Sequence, residues 1–211
     1  MKRGFNYSKR IYKILPKKII KLLSLYKIRE IINSREEICL DLGCGSTKRP
    51  GFIGLDLSIY ADITWDISWG IPFKDNSVKE IRSDHFFEHL ELPVLYKTLQ
   101  ECLRVLVPGG ILDFTVPHID PYIRAYLKND FDFIKNKIND IPDDKSFLYS
   151  TCFDRISWLL HRSGEHKSCF DKRSIIEKLK KVGFKDVITR KYDKKRDFNK
   201  RFSSIYIVAK K

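Results

Sequence analysis

The stretch 38–56, ICLDLGCGSTKRPGFIGLD, decides the fold. Residues 38–42 are a brief apolar run bounded by turn residues, the pattern of a strand buried on both faces of a parallel sheet. Gly43 and Gly45 follow, where the missing Cβ permits a sharp turn and a close approach to a ligand. Residues 53–55 read as the next strand, and Asp56 at its carboxyl end is placed to accept both hydroxyls of a ribose. Two strands joined by a glycine turn, the second ending on an acid, form a nucleotide-type site at the carboxyl ends of parallel strands.

The spacing departs from a dinucleotide fingerprint. Lys48 stands where G-x-G-x-x-G has its third glycine, and Asp56 follows Gly45 by only eleven residues, where a dinucleotide unit has about 20. No full crossover helix fits in that interval, and the absence of G-K-[ST] excludes a P-loop. A pyrophosphate calls for a helix N-terminus, whereas S-adenosylmethionine has no phosphate and requires only the turn and the acid. The stretch resembles the first motif of the class I S-adenosylmethionine-dependent methyltransferases, in a methyltransferase-11-like form with a short glycine-rich motif.

Later motifs extend the resemblance in the same order. Pro72, Phe73, Asp75 and Ser77 form a P-F-x-D-x-S turn leading into a short strand near 78–82, and an E-H-L follows at 88–90. Residues 92–105 read as a helix ending on the breaker Val107, Pro108, Gly109, Gly110, after which 111–116 alternate as a strand. His118 and Asp120 follow, near the cleft or capping a loop. Residues 172–182 read as a helix capped by Gly183, and 184–192 with 204–209 as a closing antiparallel pair.

The resemblance implies an α/β fold: a single Rossmann-like seven-stranded methyltransferase sheet with helices on both faces and a helical, aromatic-rich insertion after the fifth strand. The expected division is a basic amphipathic segment, 1–36, and a methyltransferase domain, 37–211, with 121–169 as lid or substrate wall. The implied cofactor is S-adenosyl-L-methionine, with S-adenosyl-L-homocysteine as product. Cofactor contacts are expected from Asp41, Gly43, Cys44, Gly45, Asp56, Leu57, Asp66, Ile67 and Asp84. Asp66 would meet the exocyclic amine of adenine while Ile67 packs on its ring; the plain alternative for Asp66 is a surface loop.

His85, Glu88 and His89 spell H-x-x-E-H, which on a helix would share one face. That is also the motif of the inverted zincin peptidases, a reading its place just after a sheet strand argues against. The set resembles the metal-binding E-x-x-E-H of the small-RNA 3′-terminal ribose methyltransferases, with His166 in GEHKSCFD as a fourth ligand. The resemblance implies a divalent metal held by His85, Glu88, His89 and His166, and the first histidine favours Mn, Zn or Fe over Mg. The competing role for His89 or His166 is a general base with a pKa near 6.5.

Residues 17–33 carry Ile19, Leu22, Leu23, Tyr26, Ile28, Ile31 and Ile32 at helical spacing with lysines between them. This helix either covers one side of the domain or lies on an anionic membrane or partner. The chain has 211 residues, 43% of them hydrophobic, enough for one core, and a formal net charge of +14. That charge admits a nucleic-acid partner. Five cysteines without a C-x-x-C pair suit reduced thiols in a cytoplasmic protein, the helix leaving room for peripheral contact with the inner face of a membrane. The basic start MKRGFNYSKR leads into no clean apolar signal. The preferred acceptor, by analogy with glycan-modifying relatives of the short first motif, is a sugar, polyol or other small-molecule hydroxyl. An RNA ribose and a non-catalytic membrane or partner module are the alternatives.

Overall fold

The computed structural model describes residues 16–211 apart from 48, 139–140, 142 and 199. The start MKRGFNYSKR and Lys48 therefore lie outside the described residues. Seven strands, β1 (Cys39–Leu42), β2 (Ile53–Asp56), β3 (Ile63–Thr64), β4 (Val78–Asp84), β5 (Leu106–Pro117), β6 (Lys185–Arg190) and β7 (Ser204–Lys210), join one sheet in the order β3-β2-β1-β4-β5-β7-β6. The first five strands are parallel, and β7 lies antiparallel between β5 and β6. The strand order reverses at β1, whose neighbours are β2 and β4. The carboxyl ends of β1, β2, β4 and β5 share one edge there, where such sheets bind ligands.

Side-chain alternation gives the sheet two unlike faces. Leu40, Leu42, Ile53, Leu55, Ile81, Leu112, Phe114 and Ile207 join one apolar cluster. That cluster takes in Ile28 of α1 (Lys17–Ser34), Leu95, Leu99 and Cys102 of α2 (Leu92–Val105), and Ile175 and Leu179 of α6 (Lys172–Val182). The other face presents Asp41, Arg82 and Asp113 in register across β1, β4 and β5. Its charged side chains meet Arg49 from the first turn and Arg190 and Arg196 from the end of β6 and the loop after it. Among the described residues no helix joins β1 to β2, in keeping with their short separation.

α2 has the bounds expected from its apolar spacing. α6 starts on a capping box between Asp171 and Ser174 and stops at Gly183, whose φ of +115° is left-handed. Several expectations need correction. The two-residue strand β3 was not anticipated, being too short to show a period. Pro108, Gly109 and Gly110 lie inside β5 rather than before it. Leu106 pairs with Val78 and Ile111 with Glu80, so these residues bulge out of the ladder with Gly109 at φ +77°.

The docked face of α1 also differs. Ile20, Ser24 and Ile28 are its buried residues, whereas Ile19, Leu22, Leu23, Tyr26 and Ile32 are exposed. Ser24 decides this: its hydroxyl donates to the Thr64 carbonyl at 2.7 Å, tying the helix to the β3 edge. Among the described residues no helix is long and apolar enough to cross a membrane.

After β5 the chain forms α3 (Asp120–Leu127), α4 (Phe131–Lys137) and α5 (Cys152–His161). Tyr122, Ala125, Ile134, Ile138, Ile141, Cys152 and Ile156 build a second, smaller core beneath them. Thr151 and Asp154 cap α5 reciprocally, which fixes where the insertion turns back toward the sheet.

Candidate active site

The first turn is built as its glycines require. Gly43 has φ +70°, and a Cβ there would lie 2.4 Å from the Phe86 ring, so the loop after β4 closes directly on it. Gly45 has φ +60°, and a Cβ there would meet nothing within 4 Å, which leaves the turn open on that side. The Gly45 N–H donates to Asp56 Oδ2 at 2.9 Å and the Ser58 N–H to Oδ1 at 2.8 Å. The carboxylate is thus pinned at the strand end with one lone pair left on each oxygen. The Cys44 thiol packs against Gly54 and donates to the Gly45 carbonyl at 3.8 Å, and burial pushes it far above the usual thiol range.

Asp41 is 1% exposed. Burial pushes its carboxyl up to about 6 against the opposing pull of Arg49, whose Nε lies 3.4 Å from Oδ2. Arg49 also donates to the Arg196 carbonyl at 2.6 Å and stacks on Phe198 at 4.1 Å, linking the first turn to the loop before β7. Asp66 caps a single 3-10 turn, Ile67–Trp69, by accepting the Ser68 N–H. Asp84 at the end of β4 accepts the Thr115 hydroxyl and faces Arg201 at 3.6 Å. Leu57 directly follows β2, half-buried beside Asp56.

The H-x-x-E-H residues do not share a helix face. His85 sits at the end of β4 with φ +53°, and Phe87–His89 form one 3-10 turn. This turn aims the side chains differently from an α-helix. His85 Nδ1 donates to Glu88 Oε1 at 3.1 Å, and its Nε2 accepts from the Ser204 hydroxyl at 2.9 Å. Both its nitrogens are engaged, and it stands outside the group of Glu88, His89 and His166 that could hold a metal.

Glu88, His89 and His166 do come together, with one donor atom from each lying within 4.8 Å of the others. The backbone brings His166 there. The Lys167 and Ser168 N–H groups both donate to the Glu88 carbonyl, and the Ser168 hydroxyl donates to that of Leu90. The His89 Nδ1 donates to the Glu165 carbonyl at 3.0 Å and the His166 Nδ1 to the Leu159 carbonyl at 2.9 Å. A carbonyl can only accept, so each Nδ1 carries a hydrogen and Nε2 is the nitrogen left to face a ligand. Glu88 Oε2 is buried without a partner. Burial alone would raise the Glu88 carboxyl, but the His85 hydrogen bond and the neighbouring His85 and His89 rings hold it below the usual range. Burial lowers the His166 pKa, which keeps that ring neutral. A carboxylate and two imidazoles brought this close could hold a cation.

Beside this cluster, Pro117, His118, Ile119, Leu159, Leu160, His166 and Ser168 line a mostly apolar pocket between the β5 loop and the end of the insertion. Asp120 is instead held on the surface by Arg124 at 2.7 Å.

Residues 57–114 match the methyltransferase 11 family model, described as a methyltransferase domain. That segment is similar to the methyltransferase domain family, and the chain has the α/β methyltransferase fold. The match runs from the residue after β2 into β5, taking in Asp66, Asp84 and the H-x-x-E-H set. Two solved methyltransferase structures show the same fold. An S-adenosylmethionine-dependent methyltransferase from Archaeoglobus fulgidus is 16% identical with a TM-score of 0.51, covering 91% of this chain and 94% of its own. One from Methanosarcina mazei is also 16% identical at 0.51, covering 86% and 96%. Among curated proteins, none matches the chain.

Sequence reasoning missed the charged network on this methyltransferase's polar face. Arg190 bridges Asp113 at 2.8 Å and Asp197 at 2.6 Å, and Arg196 meets Asp113 at 3.0 Å. The available signal was Asp113 itself, an acid in the middle of the strand sequence ILDFTV. A buried carboxylate in such a strand requires cationic partners from elsewhere in the chain.

Proposed function

We propose that this methyltransferase modifies a hydroxyl of a sugar, polyol or related glycan-type acceptor, with a divalent cation held by Glu88, His89 and His166. The observation that carries the proposal is the convergence of Glu88, His89 and His166, with Glu88 Oε2 buried and unpartnered and both Nδ1 atoms held by backbone carbonyls. An alcohol is a poor nucleophile at neutral pH, whereas an amine needs only deprotonation. A bound cation would supply Lewis acidity to an acceptor hydroxyl. Two imidazoles and one carboxylate suit Zn, Mn or Fe better than Mg.

The chain's own residues position the reactants. Asp56 is oriented to accept the two ribose hydroxyls of S-adenosylmethionine, Gly43 to Gly45 leave room at the turn, and Asp66 with Ile67 frames the adenine. Asp41 and Asp84 close the cofactor side beneath the strand ends. His85 holds Glu88 Oε1 so that Oε2 stays turned inward. The pocket beside His118 and His166 receives the acceptor, walled by the insertion 121–169. The acceptor oxygen attacks the methyl carbon as the carbon–sulfur bond breaks, and the hydroxyl proton leaves, giving S-adenosylhomocysteine; the gain comes mainly from alignment. The five free cysteines suit action in the reducing cytoplasm.

Labelled S-adenosylmethionine, offered with polyols and glycans before and after chelation, tests the proposal. Transfer that is lost with the metal and restored by Mn or Zn is the expected result. Undiminished transfer in chelator would overturn the metal assignment. An RNA ribose is the second reading, favoured by the net charge of +14. It would show instead as transfer to RNA that falls steeply with added salt.

A further inference from the structure

We infer that helix α1 docks the protein onto an anionic lipid surface. The helix has two apolar stripes. Ile20, Ser24 and Ile28 face the domain, and Ile19, Leu22, Leu23 and Tyr26 form a second stripe at i, i+3, i+4 and i+7, exposed by 45, 70, 59 and 68%. The domain needs only the first stripe. Four large apolar side chains repeated along one helix face form a contiguous patch of the kind that marks an interaction site.

Charge selects the partner. Lys18, one turn before Leu22, and Arg29, one turn after Tyr26, border the exposed stripe on one flank. Lys27, one turn after Leu23, borders it on the other. Glu30 is the only acid in the helix. An apolar stripe edged on both sides by basic residues is the pattern of a helix lying in a membrane interface. There the apolar side chains enter the acyl boundary while lysines and arginines reach anionic headgroups.

The helix is rigidly placed for this role. Besides the Ser24 hydrogen bond to Thr64, Lys21 Nζ lies 5.4 Å over the Trp69 ring and 6.0 Å over Trp65. These partners end β3 and form the turn after Asp66, on the ligand-facing edge of the sheet. Docking through α1 would therefore bring that edge close to the bilayer, and the inference stands whichever acceptor is methylated.

Co-sedimentation of the full chain with vesicles tests it, using phosphatidylglycerol mixed with phosphatidylcholine against phosphatidylcholine alone. The chain is expected to sediment with the anionic vesicles only. The double variant Leu22→Glu, Leu23→Glu should lower that binding about tenfold or more with its melting temperature unchanged, because both side chains are exposed. Lys18→Gln with Lys27→Gln should weaken anionic binding several-fold. Failure of the parent to sediment would overturn the inference, as would equal sedimentation of the leucine variant, which would assign binding to other basic segments. A dimer seen by light scattering that the leucine variant dissociates, without vesicle binding by the parent, would assign the stripe to a second copy of the chain.

Discussion

The imidazoles of His89 and His166 meet edge to face with ring centroids 5.2 Å apart, each held through Nδ1 by a backbone carbonyl. The main chain thus orients both rings independently of any bound ion. His85 acts one step back, through Glu88.

These different positions predict different losses. His166→Ala should remove stoichiometric metal, read by elemental analysis after dialysis, and with it most transfer. His85→Ala should retain metal but bind it about 10- to 100-fold more weakly, and His85→Asn, which keeps a donor, should recover part of the loss. Equal metal content in the parent and His166→Ala would reject the cluster as a metal site.

Asp56 accepts two backbone N–H bonds and keeps one lone pair per oxygen for the ribose. Asp56→Ala should cost S-adenosylhomocysteine affinity by about 100-fold or more, since two charge-assisted bonds of roughly 1.5–3 kcal/mol each are lost. Calorimetric titration reads this directly. Parent-like affinity would move the cofactor site elsewhere.

Gly43 and Gly45 should respond differently to alanine. Both have positive φ, which costs an alanine about 1 kcal/mol. Only Gly43 would also drive a Cβ into Phe86. Gly43→Ala is expected to lower stability by about 2–4 kcal/mol in urea unfolding. Gly45→Ala should cost about 1 kcal/mol and show its main effect as weakened cofactor binding, because its open side faces the turn.

Asp41 makes stability depend on pH. Its native carboxyl keeps a proton up to about 6, against 3.8 for the ordinary group. The native state therefore binds the proton more tightly. Its favourable contribution is complete below 3.8 and is lost as pH rises through 6. Between pH 5 and 7 the parent should lose about 1 kcal/mol relative to Asp41→Asn, which does not titrate. Denaturant titrations of both proteins at the two pH values measure the difference, and a constant gap would mean that Asp41 ionises normally.

Much of this was legible in the chain. The run 38–42, the glycine turn and Asp56 announced a parallel nucleotide-type sheet, while the polar face that takes Asp41 was not legible because its partner Arg49 comes from the following loop. The α2 and α6 bounds followed from apolar period and from Gly183. β3 was not legible, since two residues carry no period, and the bulge in β5 was not, because Pro-Gly-Gly ends a helix and bends a strand equally well. Which stripe of α1 docks was not legible because two apolar stripes compete on it, and the buried one carries a hydrogen bond from Ser24, a residue with no apolar signal.

By itself the sequence determined most of the elements and their order, because these depend on local spacing and on residues close in the chain. Only the tertiary structure decided the composition of the histidine cluster. Glu88 and His89 are joined by His166 because the backbone of 167–168 bonds to that of 88, and His85 is turned away by a left-handed residue and Ser204. Such choices rest on hydrogen bonds between segments far apart in sequence, whose partners exist only once the sheet has brought its strand ends to one edge.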